Sequence, residues 1–324
     1  MNKKIIAIAI ATAMAAPVAM ADIKVTGAIG GELTFQPKEN ATTGTTGTAD
    51  IASKAFRSFG DTGKSKLEFH GSNGNAYAKV GMSTNTIMGG QNPGARDGYI
   101  GYKLGGDSSI QMGRMVGAAA NLEKDAYIST FLQSRNTAAE AATSKEFGSS
   151  SFIGSLIQYQ TKAGAMNVIA QYSPTDNDAH SANDGHIGVS LAGKAGAVNY
   201  WASYNNGQAN QTTGTSANHV NVKVGAAMKM GAAKLTLNVT DAAFGSGSAN
   251  KSTSTLVMAD FGLGNGLSAN VGYGSNGDKG TWTRAAISKK LTGATVFAGA
   301  VSTKAAGSGT TAVTVFGAGM NMSF

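Results

Sequence analysis

The chain has no cysteine. That excludes disulfides, thiolate-ligated metal centres and a lipid attached through a cysteine beside an export signal. Proline is scarce, at 4 of 324 residues. Past the N-terminus no segment approaches the roughly 18 unbroken apolar residues of a membrane-spanning helix. If this protein crosses a membrane, a closed β-barrel is the only structure left to do it. Runs of basic charge are also missing. Beyond Lys3-Lys4, only Lys289 and Lys290 are adjacent, which argues against a nucleic-acid surface.

What is present begins with a targeting pattern. Lys3 and Lys4 precede the apolar stretch 5–16, and Ala19-Met20-Ala21 is a small-x-small cleavage site. The expected mature chain is 22–324, a single domain of 303 residues, preceded by a cleaved signal peptide at 1–21. The formal charge of the whole chain is +8; without Lys3 and Lys4 it is 24 basic to 18 acidic residues, or +6. Such a surplus suits anionic headgroups or anionic solutes. Glycine reaches 45 residues, among many Thr, Ser, Val and Tyr. Glycine is poor in helices and marks bends in strands, so the composition reads as all-β.

The residue pattern agrees. At the C-terminus, Phe316, Ala318, Met320, Met322 and Phe324 alternate with Gly317, Gly319, Asn321 and Ser323. That is a period of two, a strand with one apolar and one wet face. At the other end, Ile23, Val25, Ile29, Leu33 and Phe35 alternate with Lys24, Thr26, Glu32 and Thr34. About ten residues at roughly 3.3 Å each, tilted near 45°, cross a membrane core. The stretch 36–63, rich in Thr, Gly and Asn, reads as a long polar loop. After it a rhythm repeats: strand, tight turn, strand, longer loop. Seven short connections are expected, near 72–75, 105–107, 162–164, 193–196, 230–233, 263–266 and 292–294. With the opening and closing strands, about 16 strands result. Short turns at one end and long loops at the other are the asymmetry of outer-membrane barrels. Aromatic residues gather near strand ends, among them Tyr99, Tyr102, Tyr159, Tyr172, Tyr204 and Tyr273. Rings at those depths suit membrane interfaces.

The exception to the rhythm is 116–150, far longer than an ordinary connection and so expected to be functional. It follows the stretch Arg96-Asp97-Gly98-Tyr99-Ile100-Gly101-Tyr102-Lys103-Leu104-Gly105-Gly106 and Ile110-Gln111-Met112-Gly113-Arg114. These residues and the closing strand resemble the general porins of Gram-negative bacteria, the betaproteobacterial type above all. The resemblance implies a transmembrane antiparallel β-barrel whose third external loop folds into the lumen and narrows it. It further implies residence in the outer membrane among lipid and lipopolysaccharide, a homotrimer, and a closing strand read by the barrel assembly machinery through Phe316, Met320, Met322 and Phe324. It implies no cofactor and no enzymatic activity. The loop carries Glu146-Phe147-Gly148, only part of a tip motif found in some porins, and that motif is not carried over.

A barrel of this size leaves an aqueous channel, and charges on opposite walls of a narrow point bias ions. Parity puts Lys66 with Glu68 and His70, opposite Leu67 and Phe69, and Lys79 with Tyr77, opposite Ala78 and Val80. Both lysines are expected to face the lumen, since a Lys facing lipid at mid-depth costs roughly 2–4 kcal/mol. Lys103 also faces in, near the short-turn end. Arg96 and Arg114 share parity with the apolar faces but lie beside loops. The expected constriction sets Lys66, Lys79, Arg96 and Arg114 against Glu123 and Asp125. The expected function is passive diffusion of small hydrophilic solutes and ions with a modest preference for anions. The alternatives are a solute-selective channel with a lumenal binding site, or a barrel adhesin or enzyme.

Other motifs carry less. Gly63-Lys64-Ser65 lacks the glycine a phosphate-binding loop needs five residues earlier, where Ser58 stands. His180, His186 and the acids Asp176, Asp178 and Asp184 make a cation site in one external loop a minor reading. The loop 84–95 is where subunit contacts are expected.

Overall fold

The computed structural model describes residues 22–36, 56–61, 65–83, 94–118, 122, 127, 130–132, 152–174, 186–209, 217–244, 251–276, 280–306 and 312–324. The signal segment 1–21, Glu123, Asp125, Asp176, Asp178, His180, Asp184 and most of the loop 84–95 lie outside these residues.

The described chain is almost entirely strand. The first elements are β1 (Asp22–Gln36), β2 (Phe56–Asp61), β3 (Lys66–Asn73), β4 (Ala76–Ser83), β5 (Gly94–Gly105) and β6 (Ser108–Val116). Next come β7 (Phe152–Ala163), β8 (Met166–Ser173), β9 (His186–Ala195), β10 (Val198–Ala209), β11 (Ala217–Met230) and β12 (Ala233–Phe244). The last are β13 (Lys251–Gly264), β14 (Leu267–Asn276), β15 (Gly280–Leu291), β16 (Ala294–Ala305) and β17 (Val313–Ser323). Every pairing is antiparallel; β1 pairs with both β2 and β3, from β3 onward each strand pairs with the next in sequence, and β1 pairs with β17 to close the ring. One correction to the sequence reading concerns 36–63, which is not loop throughout. β2 lies within it, pairing Gly31 with Asp61, while β3 pairs Ala28 with Lys66 along the same edge of β1. The two segments share one position, so 17 segments make a 16-strand barrel. Pairing needs only backbone donors and acceptors, which β1 must satisfy along its whole length; no side-chain alternation announces it.

All seven tight turns form. Each two-residue tip holds a glycine in the left-handed region: Gly74, Gly106, Gly164, Gly196, Gly231, Gly266 and Gly293. Two-residue hairpins that match strand twist need positive φ, and glycine supplies it without steric cost.

The distribution of polarity is inverted. Ile23, Val80, Ile100, Met112, Val224, Leu237, Val271, Ile287 and Met320 stand exposed on the outer face. Gln111, Gln158, Gln171, Ser190, Asn205, Asn221, Thr236 and Asn270 are buried on the inner one. Ile100 is 65% exposed while Asn221 is 0%. A monomer in water would reverse this; a barrel with lipid outside and water inside requires it.

Candidate functional site

The inner wall of β3, β4 and β5 carries a linked set of charges. Register places Lys66 opposite Ala28, Glu68 opposite Thr26, and His70 opposite both Lys24 and Lys79. Opposed residues share a face, so Lys66, Glu68, His70 and Lys79 all project inward. Lys66 Nζ lies 2.6 Å from Glu68 Oε2, and Lys79 Nζ lies 2.8 Å from Glu68 Oε1. Lys79 also pairs with Asp97. His70 Nε2 stands 3.9 Å from Glu68 Oε2 and 3.3 Å from Thr26 Oγ1. Asp97 reaches Lys79 because β5 slips register beside Val80 and Met82, and because Gly81 has no Cβ where the carboxylate sits. Two lysines and two acids therefore hold one another in a chain. Beside them a polar ladder crosses the wall. Tyr77 donates to Ser109 Oγ (3.1 Å), Gln111 to Tyr77 Oη (2.9 Å), Gln158 to Gln111 Oε1 (2.7 Å) and Gln171 to Gln158 Oε1 (2.6 Å).

The described residues of the long loop after β6 lie inside the barrel, against the other wall. Ala118 lies by Gly188 of β9, and Leu122 packs with Trp201 of β10 and Ala227 of β11. Further along, Tyr127, Phe131 and Leu132 pack on Ala286, Phe297 and Val301 of β15 and β16. Two charged side chains fasten it. The Phe131 N–H donates to Glu32 Oε2 of β1 at 2.9 Å. Arg284 of β15, only 4% exposed, donates through Nη1 to the Leu132 carbonyl at 2.7 Å and lies 4.8 Å over the Tyr127 ring. Its Nε donates to Asn270 Oδ1 at 2.8 Å. Trp201 is fixed by its own donation to Asn238 Oδ1, 2.9 Å, and lies against Gly225.

Of the residues singled out from sequence, the structure brings Lys66 and Lys79 together. Arg96 and Arg114 are elsewhere: both guanidinium groups lie over Phe152, at 5.2 and 5.8 Å, at the long-loop rim. Arg114 stands opposite Gly98, on the face that Tyr99 does not share, and its Nε donates to the Arg96 carbonyl at 2.9 Å. The closing-strand residues Phe316, Met320, Met322 and Phe324 stand exposed on the outer face. Sequence reasoning did not single out Asp97, Glu32, Arg284 or Trp201. Arg284 had a legible signal: parity with the outward Ala285 and Ile287 sends it inward.

The sequence profile of the Gram-negative porins matches residues 7–303. No curated protein sequence matches the chain. Among solved structures, the fold is similar to an anion-selective porin from Comamonas acidovorans, at 15% identity and TM-score 0.73 over 94% of this chain and 100% of that one. It is also similar to OmpF of Salmonella typhi in complex with daunomycin, at 16% identity and TM-score 0.69 over 94% and 100%. A third is in-vitro folded OmpT of Vibrio cholerae in its trimer form, at 15% identity and TM-score 0.65 over 94% and 99%.

Proposed function

This chain belongs to the Gram-negative porin family, and from that membership we propose a passive, modestly anion-preferring pore that works as a homotrimer. The family and the fold are those of an outer-membrane channel for small hydrophilic solutes rather than of an enzyme. Export through the segment 1–21, trimer assembly and contact with lipopolysaccharide belong to the proposal.

The observation that carries it is the loop fastened inside an inside-out barrel. Glu32 and Arg284 hold the loop to one wall, so solutes pass along the other, where Lys66, Glu68, Lys79 and Asp97 stand. Ordered charges in a confined, water-filled passage act on a permeating ion far more than surface charges do. The lysines are held in place by the acids, so this wall carries position rather than a large net charge. Anion preference is supported by the excess of inward lysines over inward carboxylates among the described strand residues. One relative by fold is itself named an anion-selective porin.

Reversal of charge at the wall tests the assignment. Lys66→Glu and Lys79→Glu each turn a balanced group into a net acidic one. The reversal potential under a KCl gradient should move toward K⁺ in both variants. An unchanged potential in both would remove these residues from the constriction.

A further inference from the structure

Apart from the buried Lys223 and from Lys251 and Lys304 at the long-loop ends of their strands, the described lysines outside the β3–β5 wall collect at one end of the barrel. Short turns tip that end, and register fixes which way each side chain points there. In β9, Ile187, Val189 and Leu191 are outward and exposed, which sends Lys194 inward, opposite Asn199 of β10. In β11 the buried Ala227 is inward, and Lys229 follows two residues later on the same face. Lys229 stands directly opposite Lys234 of β12. All three are exposed. Like charges placed opposite one another on a sheet destabilise it, so folding alone does not favour this pair.

Carboxylates do little to offset them. β9, β10 and β11 contain no Asp or Glu. Asp260 of β13 lies 3.9 Å from Lys234 and also accepts a hydrogen bond from Asn270 at 2.6 Å. Around the rest of the rim, Lys162 pairs with Asp107 at 3.1 Å, while Lys24, Lys103 and Lys290 face inward by register, with Asp22 at the start of β1. The arc from β9 to β12 is therefore the most basic part of this mouth. Each ammonium offers three donors on a flexible stem, which suits a compact ligand with several anionic oxygens.

We propose that Lys194, Lys229 and Lys234 form a binding site for multivalent anions of the phosphate type at the short-turn mouth. The proposal rests on the channel reading and deepens it: this mouth collects multivalent anions before they reach the β3–β5 wall. A site at one end makes the channel asymmetric toward such ligands.

Single channels in a planar bilayer at about 0.1 M KCl, where charges reach roughly 10 Å, provide the test. Inorganic triphosphate is added first to one side and then to the other. Block is expected from one side at a concentration on the order of tenfold lower than from the other. In a Lys194→Gln/Lys229→Gln/Lys234→Gln variant, shown to be folded by its heat-modifiable mobility, block should be equal from both sides. The single change Lys229→Gln should remove part of the difference, and Lys66→Gln/Lys79→Gln should leave it intact. Equal block of the native channel overturns the proposal. So does a sided block that survives the triple change or disappears with Lys66 and Lys79. Folded native protein that opens no channel overturns the channel reading, and this site with it.

Discussion

Lys79 sits between Glu68, at 2.8 Å, and Asp97, and this setting decides what the residue can do. Its inward direction was legible from alternation with Ala78 and Val80. Its partners were not. The contact with Asp97 depends on a register slip between β4 and β5 and on the space left by Gly81, neither of which has a local signature. Arg114 shows the converse. Its parity with the apolar face is what the structure has, and its place over Phe152 was beyond reach of local pattern. A glycine elsewhere has a similar role. A Cβ on Gly225 would fall on the indole of Trp201, which is 3% exposed and supports Leu122 of the loop. Gly225→Val should push Trp201 from Asn238 and destabilise the barrel by about 1–3 kcal/mol, the usual cost of overpacking. Urea unfolding followed by Trp fluorescence would show it as a lower midpoint.

At the scale of elements, strands were readable wherever one face meets lipid and the other water. β11 and β12 are the clearest, with Val222, Val224, Leu235 and Leu237 outward against Asn221, Lys223 and Thr236 inward. The tight turns were readable because each needs a residue that tolerates positive φ, and glycine marks it. β2 was not readable, since its residues Phe56-Arg57-Ser58-Phe59-Gly60-Asp61 show no alternation, and what identifies it is its backbone pairing with β1. For the loop, its length made it conspicuous, but its landing points are set by residues far along the chain, 99 positions away for Glu32 and Phe131 and 152 for Arg284 and Leu132. Arg284 is one of these. A hydrogen bond from a charged donor contributes roughly 1.5–3 kcal/mol, and Arg284→Met removes the one to Leu132 together with the contact to Tyr127. The loop should then leave the β15–β16 wall. Single-channel current should become noisier, and larger sugars should enter proteoliposomes in swelling assays. Unchanged current and exclusion limit would show that Glu32 and the apolar contacts suffice.

The whole molecule is a closed sheet, and closure is what lets it live in lipid, where an open edge would leave backbone groups unpaired. The seam lies between β1 and β17. It ends with Gly27 and Phe324 exchanging N–H···O bonds of 2.9 and 3.0 Å, the Phe324 ring lying against Gly27. Gly27→Val would displace that ring. The folded, heat-resistant fraction should fall and the thermal midpoint should drop, again by the equivalent of about 1–3 kcal/mol. A fully heat-resistant variant would mean that the seam closes without this contact.

The central claim is that this barrel is an open, charge-selective passage. Planar-bilayer conductance of the folded mature protein under a KCl gradient tests it most directly. The account predicts stepwise current, in increments of three if the assembly is a trimer, with a reversal potential of the sign that Cl⁻ selectivity gives. Folded protein that inserts and leaves the bilayer impermeable would contradict it.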